Sequence, residues 1–487
     1  MDLVPVHLDA NSDQPLYMQL ASQIRQAITR QALAPGQKLP PIRSLAQSLG
    51  VSNATIVSAY RLLDQDGHVV SQVGSGTFVA PPQRTSVKPW MTELDLPVDA
   101  GGGQILLPDN AINFATANPS PELFPVQEYK GLINEILDRD GGYAFTYQEG
   151  QGYFPLRQAV AAYFALQGLQ TAPENMQVIS GAQQGLDLIS KALVAFGDSV
   201  AVENPTYPGA VAAFRSRNAK IIPIPMQADG LNLHALENQL KQHSIRLVYV
   251  TPNFQNPSGV TYSLEKRDKL LELARRYQFW IVEDDYASEL RYAGAPVPPL
   301  KSMDRQQQVI YIKGFSKIMM PGLRIAFMVL PPKLVTAVAS AKHSADISSG
   351  GLHQRVLQLY LDRGLWATHL AHIVSIYRQR YGVLLEEIEH RLGKLVKVHQ
   401  PQGGLSLWME NRDSSVSGDR IYEAALTKGV AVVPGSMFYF DHEPVPFFRL
   451  CFAACQPSEI AAGLHLLAMA IQEKRPSTAS SHLSPLV

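Results

Sequence analysis

From Ile112 to about Ile471 the chain alternates amphipathic helix patterns with short β-rich apolar runs, at 178–179, 199–202, 247–250, 279–282, 309–312 and 325–330. Such a segment has few compact solutions. The runs pair as a mainly parallel sheet, helices cover its faces, and a ligand lies beyond the carboxyl ends of the strands. The polar residues just after those runs are therefore where chemistry is expected. After Val282 stand Glu283, Asp284, Asp285 and Tyr286; after Ile312 stand Lys313, Gly314, Phe315, Ser316 and Lys317; after Val250 the chain reads TPNFQNP, with Asn253 and Asn256. The stretch Ser180-Gly181-Ala182-Gln183-Gln184-Gly185 opens a helix whose first N–H groups and positive dipole end suit a phosphate, and Arg324 adds a guanidinium that can grip one bidentately.

A lysine that attacks an aldehyde must first lose its proton, so its pKa, about 10.4 in a model peptide, has to fall through burial or neighbouring cations. Lys317 has Arg324 close in sequence. A carboxylate such as Asp284 would keep a pyridine nitrogen protonated, and a phenol such as Tyr286 would bond a ring hydroxyl. These are the needs of pyridoxal phosphate.

The first eighty residues follow a different pattern. Leu16, Leu20, Ile24, Ala27 and Ile28 fall at helical spacing, and the run ends at Ala34-Pro35-Gly36. A second short helix reads from Pro41 with Ile42, Leu45, Ala46 and Leu49 inward, closes at Gly50, and leaves Ser52 to cap a third carrying Ile56, Tyr60 and Leu63. Two helices across so tight a connection form a helix-turn-helix, which directs Ser52, Asn53 and Thr55 at DNA. His68 to Ser71 and Thr77 to Val79, joined through Gly74-Ser75-Gly76, read as the hairpin of a wing. The whole is an α+β winged helix-turn-helix over 13–81. A Pro-, Gly- and polar-rich linker follows over 82–110, the α/β body takes 111–475, and 476–487 reads as a disordered tail.

Composition narrows the setting. With 46% hydrophobic and 17% charged residues the 487-residue chain is globular and multi-domain, and a formal net charge of +0 excludes wholesale polyanion binding, so a DNA site has to be local. Cys451 and Cys455 are too few for a disulfide framework or a structural zinc set, and the scattered histidines lack metal-ligand spacing. Neither a signal segment nor about eighteen uninterrupted apolar residues occur, which points to the cytoplasm.

The stretch from PLYMQLASQIRQAITRQALAPGQKLPPIRSLAQSLG through VSNATIVSAYRLLDQDGHVVSQVGSGTFVA resembles the GntR family of bacterial regulators. The resemblance implies DNA contacts from Arg43, Ser52, Thr55 and Arg61 and from the wing residues Gly74, Gly76 and Thr77. Asn53 stands where the family usually has arginine; it can read an adenine edge but brings no charge to a phosphate.

The segments SGAQQGLDLI, ENPTYPG, PNFQNPSGV, VEDDYASELRY, GFSKIMMPGLRIAF, PQGGLSLW and FFRLCFA, in this order, resemble fold-type I aminotransferases. That implies a large domain with a mainly parallel sheet and a small C-terminal α/β subdomain. It also implies Lys317 as the residue bonded to pyridoxal 5'-phosphate, Asp284 on the ring nitrogen, and Tyr286 and Asn256 on the ring hydroxyl. Tyr207 would stack on the ring, Ala182, Gln183, Ser316 and Arg324 would bind the phosphate, and Arg449 would clamp an amino-acid carboxylate. The doubled acid leaves Asp285 open as the alternative to Asp284, and Ala326 replaces a common glycine. Taken singly, Lys317 reads as a solvated strand-end charge, Arg449 as the partner of a surface acid and Tyr207 as turn packing; together they fill every role in order.

A GntR-type head on an aminotransferase-type body is the organisation of the MocR/GabR group. It implies a regulator that binds DNA at repeated half-sites, senses an amine or amino acid through Schiff-base exchange at Lys317, and forms a head-to-tail homodimer. A working aminotransferase with an accessory head, or a sensor of pyridoxal phosphate itself, are the alternatives. Arg449 disfavours the last, which has no use for a carboxylate clamp.

Overall fold

The computed structural model describes residues 6, 8–9, 14–29, 32–66, 68–72, 76–80 and 111–473. The chain divides into two compact units, Met1–Asp95 and Leu96–Val487. The expected linker over 82–110, the tail over 476–487 and the wing residue Gly74 lie outside the described residues.

In the first unit, helices α1 (Leu16–Thr29), α2 (Ile42–Leu49) and α3 (Asn53–Gln65) precede a hairpin of β1 (Val69–Gln72) and β2 (Gly76–Val79). The apolar stripes read from the sequence meet in one core: Leu20, Ile24 and Ala27 pack with Leu45, Ala46, Ile56, Tyr60 and Leu63. Helix α2 stops because Gly50 turns left-handed at φ +68°, returning its N–H to the Ala46 carbonyl. Two residues on, the Ser52 hydroxyl accepts the Thr55 N–H at 3.1 Å and opens α3. That pair of caps makes the tight turn between the two helices. The hairpin pairs Val69 with Val79 and Gln72 with Gly76. It also gains a neighbour that periodicity did not reveal: Lys38 bridges Phe78, and the Leu39 N–H donates to the Thr77 carbonyl at 2.8 Å.

The second unit is built on an eight-stranded sheet. Its strands lie in the order Met176–Ile179, Ala326–Val329, Val309–Gly314, Trp280–Asp285, Ile245–Val250, Ser199–Asn204, Lys220–Gln227 and Gly230–Leu231. Pairing is parallel from Val309–Gly314 through Lys220–Gln227, while Ala326–Val329 runs antiparallel to both of its neighbours. All six apolar runs seen in the sequence fall in this sheet. The strand Lys220–Gln227 escaped because Pro223 and Pro225 interrupt it, and proline ordinarily argues against an internal strand. Ala326, at the position of the usual glycine, is buried in register between Ile179 and Gly314.

A smaller antiparallel sheet of Val396–Val398, Ser406–Asn411, Phe447–Cys451 and Val433–Pro434 lies with the helices Leu365–Leu392, Gly418–Thr427 and Pro457–Gln472 in the C-terminal part. The first described strand of the unit, Ile112–Asn113, pairs in parallel with Val430–Ala431. Residues 112–113 are therefore stitched to the C-terminal subdomain.

Buried polar anchors fix the loop that follows Ile245–Val250. Glu203 Oε1 accepts the Thr251 N–H at 2.9 Å and the Tyr262 hydroxyl at 2.6 Å, while Oε2 accepts Gln255 Nε2 at 2.9 Å. Arg267, fully buried, donates to the Pro252 carbonyl and to Asn253 Oδ1, both at 2.8 Å. Asn253, in the same TPNFQNP run, is thus committed to holding this loop. Asn256, three residues further on, is delivered to the strand ends.

Candidate cofactor cavity and DNA-binding face

At the carboxyl ends of the parallel strands the body encloses a cavity of about 640 Å³. Lys317, Asp284, Tyr286, Asn256, Tyr207, Ala182, Gln183, Ser316, Arg324 and Arg449, drawn from segments far apart in the chain, all line it. Folding a parallel sheet does this: each strand delivers its next loop to the same edge.

The strand Trp280–Asp285 ends in three acids, and alternate facing separates them. Asp284 lines the cavity; its Oδ2 accepts the Tyr249 hydroxyl at 2.8 Å, and its Oδ1 is buried with no hydrogen-bond partner among the described residues. Burial raises its pKa to about 6, against the hydrogen bond from Tyr249. Asp285 belongs to a different network: Tyr311 donates to its Oδ2 at 2.7 Å, and Lys313 and the Ser288 N–H donate to its Oδ1 at 3.1 and 2.9 Å. Burial opposes its charge most, but Lys313 and the hydrogen bonds from Tyr311 and Ser288 together outweigh burial and hold the carboxyl below the usual range. Lys313 is in turn gripped by Glu289. Of the two acids left open by the sequence, only Asp284 faces the cavity.

Lys317 follows the strand Val309–Gly314 and donates from Nζ to Asn118 Oδ1 at 2.8 Å. Desolvation, then the guanidinium groups of Arg449 and Arg324, lower its pKa to about 8. The amine is therefore far easier to deprotonate than an ordinary lysine. Arg449 crosses from the small sheet, donating to Asn256 Oδ1 at 2.9 Å and to the Ala115 carbonyl at 3.0 Å, with its guanidinium 4.9 Å from the Phe438 ring centroid. Tyr286 donates to the Phe254 carbonyl.

One end of the cavity is shaped for an anion. The helix Ala182–Leu193 starts there, and the N–H groups of a first turn have no acceptor within the helix. Gly181 precedes it at φ +142°, and a Cβ on it would meet Arg324 Nη2 at 2.7 Å. Glycine is thus what lets the guanidinium close on the helix start. Arg324 itself sits in the left-handed region at φ +52°, a costly conformation for a side chain of that size. Tyr207 donates to Gln183 Oε1 at 3.2 Å, and Gln183 Nε2 donates to the Gly209 carbonyl at 2.9 Å. A buried acid oxygen without a partner, a glycine cradle under a guanidinium and a low-pKa amine fit pyridoxal phosphate.

Sequence reasoning missed part of the lining. Asn113, Thr116 and Asn118 come from the segment entering the body, Tyr249 and Thr251 from the strand beside Asp284, and Leu405 and Ser406 from the small sheet. Ser406 lay within the quoted PQGGLSLW segment. Asn118 carried no local signal, since only folding brings residue 118 to residue 317.

In the head, Arg43, Ser52, Asn53, Arg61 and Gly76 are exposed, and Thr55 and Thr77 half-buried. Ser52 Oγ lies 2.9 Å from Thr55 Oγ1 besides capping the helix, so its hydroxyl already has work within the protein. Lys38, also exposed, runs beside the wing: a Cβ at Gly76 would meet its Cε at 2.7 Å, and its ammonium lies 5.7 Å from the Phe78 ring centroid. The sequence offers Lys38 as one of the few basic residues of this unit, and the fold sets it beside the wing.

Residues 16–79 match the gntR family of bacterial regulatory proteins, and residues 109–467 match aminotransferase class I and II. Over 471 residues the chain is 31% identical to the probable rhizopine catabolism regulatory protein MocR of Rhizobium meliloti, covering 94% of each. It is 34% identical to aromatic-amino-acid aminotransferase 1 of Thermococcus litoralis, over 75% of this chain and 89% of the relative. The kynurenine aminotransferase of Pyrococcus horikoshii, solved in complex with PMP, superposes with a TM-score of 0.72 at 34% identity, covering 76% of this chain and 92% of that one. The aminotransferase-like match implies pyridoxal phosphate as the cofactor, and the gntR match implies DNA as a partner. The chain belongs to the aminotransferase class I and II family and, through its gntR-type head, to the MocR/GabR group of DNA-binding, pyridoxal-phosphate-dependent transcriptional regulators.

Proposed function

We propose that the body holds pyridoxal phosphate at Lys317 and senses an amine or amino acid there, and that occupancy of the site alters DNA binding by the head. The observation that carries this reading is the Asp284 carboxylate, buried with one oxygen unpartnered, in the same cavity as a lysine whose pKa is lowered to about 8. Bound pyridoxal phosphate supplies an aldehyde carbon and a protonated ring that draws electrons from whatever amine is attached.

Each residue then has a task. Asp284 would accept the N–H of the protonated ring nitrogen, whose positive charge offsets the burial that raises the pKa of the carboxyl. Asn256 keeps its Nδ2 to donate to the ring hydroxyl, and Tyr286, whose proton goes to Phe254, can accept there. Tyr207 covers the ring. The N–H groups of Ala182 and Gln183, the Ser316 hydroxyl and Arg324 hold the phosphate. Arg449 grips a carboxylate through a guanidinium that now rests on Asn256 and Ala115. The effector class this favours is an α-amino acid.

Turnover is the second reading. A Lys317 amine freed by the incoming amino group stands ready as a general base, and the likeness of the body to aminotransferases supports it. The head, which catalysis does not use, favours regulation.

In the head, Asn53 and Thr55 on the first turn of α3 are the base-reading candidates, Arg43 and Arg61 contact phosphates, and Gly76 and Thr77 bring the wing backbone close. Asn53 in place of arginine predicts a shallower salt dependence. Homodimerisation has its own support: Tyr143, Phe145 and Tyr147 stay 77%, 68% and 80% exposed on one short stretch of the body, where a second copy would cover them.

Absorbance tests the cofactor reading. Apoprotein mixed with pyridoxal phosphate should gain a visible band that Lys317→Ala never gains. Only the neutral amine reacts, so the uptake rate should rise about tenfold per pH unit and level off above about pH 8. A rate independent of pH between 6 and 9 would contradict the assigned lysine. Asp284→Asn should weaken cofactor retention by at least about thirtyfold, the cost of unpairing a buried charge, whereas Asp285→Asn should lower stability through Lys313 and leave retention within about threefold. The reverse pattern would exchange the two acids. Sedimentation velocity with a labelled duplex from upstream of its own gene should give two protein copies per complex, with affinity about tenfold lower for Arg43→Ala. Monomers would remove the pairing; unchanged binding would remove Arg43 from the interface.

A further inference from the structure

The cavity is joined to the start of the body by two hydrogen bonds whose donors the cofactor and effector also need. Lys317 Nζ donates to Asn118 Oδ1 at 2.8 Å, and Arg449 Nη2 donates to the Ala115 carbonyl at 3.0 Å. Both acceptors lie in residues 112–118, the first stretch of the body after the chain that connects it with the DNA-binding unit. The stretch has a defined shape of its own. Asn113 Oδ1 accepts the N–H groups of Ala115 and Thr116 at 2.9 and 3.1 Å, and Asn113 Nδ2 donates to Thr116 Oγ1 at 3.1 Å. On its other side Ile112 and Phe114 donate to the Gly429 and Ala431 carbonyls, and the Phe114 carbonyl accepts the Cys451 N–H at 2.7 Å.

We propose that residues 112–118 form the element that reads the state of the cavity toward the DNA-binding unit, with Asn118 as the receiver for the Lys317 amine whenever that amine is free. The inference rests on pyridoxal phosphate being held at Lys317. A free amine has protons to give Asn118. A lysine nitrogen bonded to the cofactor is drawn to the cofactor carbon and keeps at most one proton, so the tie to Asn118 is weakened or lost. Displacement of Lys317 by an amine restores the tie, and a carboxylate on that amine draws Arg449 from Ala115. The effector thereby exchanges both anchors of a single stretch, which is the differential contact that an allosteric coupling requires. Asn118 is a positioning residue, since it acts through Lys317.

Hydroxylamine is a suitable probe because it releases the lysine whatever the natural effector is. Its nitrogen attacks the cofactor carbon, a C=N bond to that nitrogen replaces the C=N bond to Lys317, and the protons it sheds leave with the lysine as free amine; no net electron transfer occurs. Full-length protein loaded with pyridoxal phosphate is treated with hydroxylamine while absorbance reports release of Lys317 and fluorescence anisotropy reports affinity for the labelled duplex from its own upstream region. Wild type should change its DNA affinity at least about fivefold. Loaded Asn118→Ala should release its lysine yet change affinity by less than about twofold, and Asn118→Asp, which keeps an acceptor oxygen, should respond as wild type does. An Asn118→Ala response equal to that of wild type would overturn the proposal. A second arm needs no variant: hydrogen exchange of wild-type amides in 112–118 should slow after hydroxylamine, and unchanged exchange would overturn it too. Absence of the visible band in wild type would be a different failure, that of the cofactor reading itself.

Discussion

Three consecutive carboxylates buried at the end of a central strand are the constraint from which the rest of the body follows. A buried carboxylate costs several kcal/mol unless it is bonded, so each of the three needs its own solution. Glu283 is met by the N–H groups of Leu300 and Lys301, both at 2.8 Å, with Arg267 opposing the burial that lifts its pKa to about 7. Asp285, on the same side of the strand, takes Lys313, Tyr311 and Ser288. Asp284, pointing the other way, has Tyr249 for one oxygen and, among the described residues, no partner for the other. Two acids serve the fold, and the one between them faces the cavity.

The remainder of the cavity complements that unpaired oxygen. Cationic groups share the cavity: Arg449 and Arg324 both depress the pKa of Lys317, and Arg324 with the start of the helix Ala182–Leu193 makes a place suited to a dianion. An acid, a phosphate cradle and a reactive amine in one cavity match a charged pyridine aldehyde carrying a phosphate. The arginine from the small sheet matters twice, because its guanidinium touches Asn256 in the large domain and the Ala115 carbonyl in the entering segment. One side chain thus joins three parts of the chain at the point where a substrate carboxylate would arrive.

Much of this was legible in the sequence, for physical reasons that differ by element. The three helices of the head announced themselves by apolar spacing and by Gly50 and Ser52 as stop and start, because those signals are local. The parallel strands were legible as apolar runs, since strands buried on both faces have no polar side, and the rule that ligands gather at strand ends led to Lys317, Asp284 and Asn256. Two kinds of feature were not legible. The strand Lys220–Gln227 was hidden by its prolines, and the place of Lys38 beside the wing by a bridge to Phe78 that only the folded head makes. Asn118 and Tyr249 joined the site through contacts spanning 199 and 35 residues, which no periodicity records. The choice between Asp284 and Asp285 was likewise a question of which face of a strand points where, and it needed coordinates.

The central claim is that cavity and DNA-binding head share one free-energy balance. Linkage makes that claim directly measurable: if an amino acid changes the affinity for DNA by some factor, DNA must change the affinity for that amino acid by the same factor. The measurement is a spectrophotometric titration of the loaded full-length protein with the amino acid that shifts its visible band, run without and with a saturating duplex from its own upstream region. The account predicts two isotherms displaced by at least about fivefold, equal to the displacement seen when DNA binding is titrated with and without the amino acid. Superimposable isotherms would contradict it, leaving a body that binds its ligand without informing the head.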